Sequence, residues 1–126
     1  MSIPNNLKYT KEHEWVLVEG SIGTIGVTDY AQGELGDVVF VDIDPAISEI
    51  KKGESIGTIE AVKTVSDIFA PYTGKVVEIN ETLKDSPEVV NSDPYGKGWM
   101  IKVEISDAAE LIDLLDSVAY QALIGQ

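Results

Sequence analysis

From His13 to Ile105 the chain is written as short β-prone runs separated by turn residues, and this pattern limits its folds more than any other feature. Many short strands punctuated by Gly, Pro, Asn and Asp give antiparallel sandwiches or barrels. His13–Val18 and Ser21–Val27 flank a Glu19-Gly20 turn and read as a hairpin. Thr28 can cap a short helix over Asp29–Leu35, which Gly36 can end in a left-handed conformation. Asp37–Ile43 is a strongly apolar strand closed by Asp44-Pro45, and Lys51-Lys52-Gly53-Glu54 turns into Ser55–Val62. Thr64–Phe69 follows, Ala70-Pro71 breaks the run, and Lys75–Asn80 and Trp99–Ile105 supply further strands. Between them Glu81–Gly98 contains Pro87, Asn91, Pro94, Gly96 and Gly98 and reads as a long surface loop. Gly23–Thr28 and Gly74–Ile79 echo each other, a glycine followed by a β run, which is compatible with a sandwich of two similar halves.

The tail differs in kind. Asp107 with Glu110 three residues on fits a capping box in which Asp replaces Ser or Thr. Leu111, Leu114, Leu115, Val118, Ala122 and Leu123 then recur at helical spacing until Gly125. The expectation is one amphipathic helix over about 107–124, packed on the sheet by its apolar stripe. The aromatics Trp15, Tyr72 and Trp99 are expected in the β core.

Composition narrows the function. The 126 residues fit one domain, with its β core over about 7–105. Twenty-two acids against nine bases give a net charge of -13, and all nine bases are lysine. Phosphate and guanine readers need clustered Lys and Arg, so nucleic acid is not an expected partner. No apolar run reaches the roughly 18 residues of a membrane span, and the start MSIPNNLKY has neither a signal-peptide nor a transit-peptide pattern. A cytoplasmic location is expected on that ground. With no cysteine and His13 as the only imidazole, thiol nucleophiles, thiolate metal sites and most triads are excluded. No HExxH or EF-hand pattern is present.

The segment Gly57–Pro71 carries the sharpest candidate. Two β-prone stretches meet at Val62-Lys63-Thr64 with no Gly, Asn or Pro between them. If they pair, Lys63 stands at a tight hairpin tip. A Schiff-base lysine needs burial or cationic neighbours, whereas Glu60 and Asp67 favour the charged ammonium. The electrostatics fit a lysine modified by another enzyme better than a catalytic one. On spacing alone, an attachment lysine and an ordinary solvated lysine both remain open.

Glu60-Ala61-Val62-Lys63-Thr64, followed by Ser66-Asp67-Ile68-Phe69-Ala70-Pro71, resembles the lipoyl-attachment segment of glycine cleavage system H proteins. The likeness continues in order through Leu7-Lys8-Tyr9, His13-Glu14-Trp15, Gly26-Val27-Thr28-Asp29, Ala31-Gln32, Leu35-Gly36-Asp37 and Val39-Phe40-Val41. It then takes in Gly74, Val77, Asn80, Ser86-Pro87, Val90-Asn91-Ser92, Pro94-Tyr95 and Gly98-Trp99. Biotin carrier domains flank their lysine with methionines, and lipoyl domains of 2-oxoacid dehydrogenases usually place Asp before it; Lys63 has Val62 and Thr64. Tyr30 stands where many members have His, and Ala61 where Ser is usual.

The resemblance implies a mainly β, lipoyl-domain-like fold, a flattened barrel-sandwich hybrid of two small antiparallel sheets with a short helix near 28–35. It implies lipoic acid in amide linkage on Lys63, with Glu60, Val62 and Thr64 forming the attachment turn. A cleft sheltering the loaded arm is implied too, with Glu14 and Asp67 as its polar contributors. The implied role is a carrier, not an enzyme. It passes the aminomethyl group of glycine from glycine decarboxylase to aminomethyltransferase and electrons to dihydrolipoamide dehydrogenase. Lipoate ligase or a lipoyl/octanoyl transferase would load it, and the carrier would be a monomer. A lipoyl relay serving other dehydrogenase subunits, or an unmodified acidic interaction module, are the alternative readings.

Overall fold

A computed structural model describes residues 2–126 and contains the expected hairpin. Lys8–Tyr9 (β1) pairs with Glu14–Glu19 (β2), which turns through Gly20 into Ile22–Val27 (β3). Thr28 caps Asp29–Leu35 (α1) by accepting from Ala31 N at 3.2 Å, and Gly36 ends the helix at φ 79°. Val38–Asp42 (β4), Glu49–Ile50 (β5), Ser55–Ala61 (β6), Val65–Phe69 (β7) and Gly74–Ile79 (β8) follow, and Ile101–Ile105 (β9) closes the β region. The strands form two open antiparallel sheets, ordered β1-β2-β3-β9-β8-β5 and β4-β6-β7. The mainly β, two-sheet expectation therefore holds.

The echoing runs, β3 and β8, flank β9 on either side, with Gly23 and Val76 both in register with Val103. The core lies between the sheets, where Val16, Ile25, Ile59, Ile68, Ile101 and Val103 are fully buried. Tyr72 is fully buried over Gly23 and donates its hydroxyl to Val103 O at 2.8 Å. Trp15 is buried against Gly26, its register partner, and donates Nε1–H to Pro94 O at 3.0 Å. Trp99 departs from expectation: it is only half-buried, with Lys102 Nζ 4.9 Å above its ring.

Two further expectations are corrected. Residues 81–98 are not a plain surface loop: Thr82–Asp85 (α2) and Val89–Ser92 (α3) are one-turn helices that bury Leu83 and Val90. Asn80 staples the segment, donating Nδ2–H to Lys97 O (2.9 Å) and Trp99 O (2.7 Å) and accepting from Thr82 N (3.2 Å). Four-residue helices are too short to show periodicity in a sequence.

Nor is the tail one helix. A 3-10 helix covers Ala108–Asp113, and a separate helix covers Ser117–Leu123 (α4). Between them Leu115 is extended and exchanges both backbone hydrogen bonds with Tyr9 at 2.8 Å. Asp116 then caps α4, accepting from Ala119 N at 2.8 Å. The expected stripe is not the buried face, because Val118 and Leu123 are exposed while Ser117 and Tyr120 are buried. Tyr120 stacks on Tyr9 with centroids 4.6 Å apart, and its hydroxyl meets Thr28 Oγ1 and His13 Nδ1, each at 2.8 Å. The capping box is half realised. Asp107 accepts from Ala109 N, but Glu110 accepts from Thr73 N and Oγ1 instead of reaching back.

Gly26→Ala would place a Cβ 2.7 Å from three atoms of the Trp15 indole. The ring must shift and its bond to Pro94 lengthen, so a loss of about 2 kcal/mol is expected in urea unfolding.

Candidate functional site

The junction of β6 and β7 forms the tight tip expected of it. Glu60 pairs with Val65, Ala61 N donates to Thr64 O at 2.8 Å, and Val62 N donates across to Asp37 O at 3.0 Å. Val62, Lys63 and Thr64 are exposed, and Lys63 has no ion-pair partner among the described residues. The lysine stem passes over Gly36, where an added Cβ would lie 3.5 Å from Lys63 Cδ and Cε. Glu60 stands on the exposed face between Phe40 and Val65, its register partners on either side.

The strand that holds this tip is itself held by Asn91. The Asn91 side chain accepts from Val38 N at 2.8 Å and donates to Gly36 O and Gln32 Oε1, both at 2.9 Å. Gln32 in turn donates to Asp29 Oδ1 at 2.8 Å. One amide thus ties α1 and α3 to residues 36–38, which carry the hydrogen bond to Val62. Asn91 and Gln32 were visible in the sequence only as matched positions. Nothing in their spacing announces a strut, because the partners lie more than fifty residues apart.

At the far end of β7, about 13 Å from Val65 at the usual rise per residue, lies a cleft of about 300 Å³. It is largely apolar and includes Thr10, Glu14, Lys52, Phe69, Asp113 and Leu115. Lys52 Nζ and Asp113 Oδ2 form an ion pair of 3.1 Å at its edge. Glu14 is only 2% exposed. Its carboxylate accepts from Thr10 Oγ1 and from Phe69 N at 3.2 Å, and Thr10 Oγ1 accepts from Glu14 N at 3.0 Å. Burial pushes the carboxyl up to about 7, against the opposing pull of those two donors. Asp67 sits elsewhere: it is exposed on β7, accepts from Ser55 Oγ at 3.1 Å and does not line the cleft. The structure therefore brings Glu14 to the cleft and leaves Asp67 on the strand between cleft and tip.

Two open sheets present a lysine on a clamped hairpin tip, an arrangement suited to a carrier domain. Residues 7–126 match the family model described as glycine cleavage H-protein. The chain is 57% identical over 126 residues to a glycine cleavage system H protein of Staphylococcus haemolyticus (strain JCSC1435), covering 100% of both chains. The crystal structure of a glycine cleavage system H protein from Mycobacterium marinum superposes with a TM-score of 0.89 at 35% identity, covering 98% of this chain and 100% of that one. The chain belongs to the glycine cleavage H-protein family, the lipoyl carriers of the glycine cleavage system.

The buried Glu14 carboxyl gives a test with a definite sign. Its pKa in the fold, about 7, lies above its ordinary 4.5, so between these values the folded chain binds more protons than the unfolded one. Its contribution is complete below about 4.5 and is lost as pH rises through 7. Glu14→Gln should flatten the stability profile across that window, where the site contributes at most about 1.4 kcal/mol per pH unit. The variant should be the more stable protein above pH 7 in urea titrations.

Proposed function

We propose that Lys63 Nζ carries the lipoyl group in amide linkage, and that this single domain is the mobile-arm carrier between the enzymes of glycine cleavage. The observation that carries the reading is the placement of Lys63, exposed and without an ion pair among the described residues, on a hairpin tip clamped from β4. Glu60, Val62 and Thr64 frame the attachment turn. The residues suit the group: the tip gives a modifying enzyme access, and the cleft at the far end of β7 is apolar enough for an aliphatic arm. When attached, the lipoyl group supplies a dithiolane able to accept the one-carbon amine and two electrons.

The chain's own residues position and shelter. The clamped turn fixes one end of the arm, which raises the effective concentration of the other end at each docked enzyme. Glu14, nearly buried in the cleft, offers a carboxylate to a cationic amine at the arm's end. A cation there favours the ionised carboxylate and lowers the Glu14 pKa, so capture of the amine releases a proton near neutral pH. Asp67, on β7 between tip and cleft, adds a second carboxylate along the arm's path. The visiting partners are glycine decarboxylase, aminomethyltransferase and dihydrolipoamide dehydrogenase, with lipoate ligase or a lipoyl/octanoyl transferase loading the arm. The net charge of -13 supports salt-sensitive docking, and the proposed carrier acts as a monomer in the cytoplasm.

Intact mass after incubation with lipoate, ATP and a lipoate ligase should rise by one lipoyl group, and Lys63→Ala should show no rise. A rise that survives this substitution would overturn the assignment. The lipoylated chain should also support exchange of glycine carboxyl with labelled bicarbonate by glycine decarboxylase, which a pure lipoyl relay would not. Glu14→Ala should release the amine about tenfold faster, the ratio set by roughly 1.4 kcal/mol, while still accepting the lipoyl group. Equal release rates would remove Glu14 from the amine site.

A further inference from the structure

We infer that an apolar strip beside the hairpin tip, formed by Val39, Phe40, Val62 and Val65, is the docking surface of the enzyme that acylates Lys63. The proposal rests on the reading of Lys63 as the attachment lysine. Val62 is 72% exposed, Val65 59%, Val39 54% and Phe40 44%. Single exposed apolar residues are ordinary, but these four are gathered at one end of the small sheet. Phe40, Glu60 and Val65 are cross-strand partners in one exposed row, and an irregularity between Val38 and Phe40 leaves Val39 exposed beside it. Val62 belongs to the tip itself.

Acids border the strip. Glu34, Asp37, Asp42 and Asp67 are exposed around it, Glu60 stands within it between Phe40 and Val65, and no lysine occurs between Glu12 and Ile50. A protein that fits here presents apolar side chains with a cation among them for Glu60, inside a rim of Lys and Arg. That is the usual anatomy of an interface, with charge complementarity setting its orientation.

Reach selects one occupant among the enzymes that visit this chain. Before modification the target atom is Lys63 Nζ, on a four-carbon stem reaching only about 6 Å. An enzyme attacking that atom must cover the tip and the residues bordering it. Enzymes that act on the far end of a completed arm can stand an arm's length away. The step itself is acyl transfer from an acyl adenylate or acyl thioester. The Nζ–acyl amide bond forms, the bond to the adenylate or thiol breaks, and the protons shed by the ammonium pass to the enzyme's base and the leaving group. Nothing is oxidised or reduced.

The test uses the full chain with the substitutions Phe40→Thr and Val65→Thr combined, and Val65→Thr alone as the near-isosteric check. Val77→Thr on β8, 57% exposed and outside the strip, is the control. Initial rates of mass increase are measured with a lipoate ligase, lipoate and ATP at carrier concentrations below saturation, with urea midpoints confirming that each variant is folded. The double variant should be acylated about tenfold more slowly, Val65→Thr should show a smaller loss, and the control should match the parent. Once fully lipoylated, the double variant should be reduced by dihydrolipoamide dehydrogenase within about twofold of the parent rate. Parent-like acylation of the double variant would overturn the inference, as would an equal loss at the dehydrogenase, which would mean a general docking face. A parent chain that gains no lipoyl mass at Lys63 would instead overturn the attachment reading on which the inference stands.

Discussion

A hairpin tip made of Val62, Lys63 and Thr64 contains no residue that favours a turn by itself, so its shape must be imposed from outside. The hydrogen bond from Val62 N to Asp37 O does this, and much of the surrounding architecture serves that bond. Residues 36–38 must be held still, and Asn91 holds them through Gly36 O and Val38 N. Asn91 must in turn be placed, and the buried Val90 beside it anchors α3 in the core. Helix α1, capped by Thr28, offers Gln32 to the same amide. The result is a lysine whose backbone is fixed while its stem lies over a glycine in exposed space. The attachment role proposed for Lys63 needs that combination, since only the arm should move.

The cleft follows the opposite economy. Burying a carboxyl without a cation costs stability, and the two donors on Glu14 offset only part of that cost. A structural role alone would be served as well by a neutral amide. A carboxyl balanced near neutrality would instead have a charge to give to a cationic amine, the role proposed for Glu14. The site thus departs from the most stable arrangement at the position where function would ask for it.

Much of the architecture was legible in the residues. Each main strand fell where alternation and turn residues placed it, and Thr28 and Gly36 bracket α1 as capping chemistry requires. The misses share one cause. The tail's apolar stripe has good helical period, but Tyr9 needs a backbone partner at Leu115, and Tyr120 finds polar ones at Thr28 and His13. Those demands break the helix and bury Ser117 and Tyr120 in place of Val118 and Leu123. Asp116 was a readable cap signal, masked by the stronger leucine pattern. In the same way Glu110 completes no capping box because Thr73 offers it two donors from another element.

The sequence by itself determined the local grammar: strands, the α1 caps, the lysine at a hairpin tip and the absence of catalytic thiols or arginine. It also carried the family, because an ordered series of residues along the whole chain is more specific than any single motif. Only the tertiary structure decided that Asn91 braces the tip, that Glu14 enters a cleft while Asp67 does not, and that the tail divides. These depend on contacts between residues tens of positions apart. Local propensity acts over a few residues, so it sets which elements form. Burial and hydrogen-bond satisfaction act across the whole core, and they decide which side chains meet.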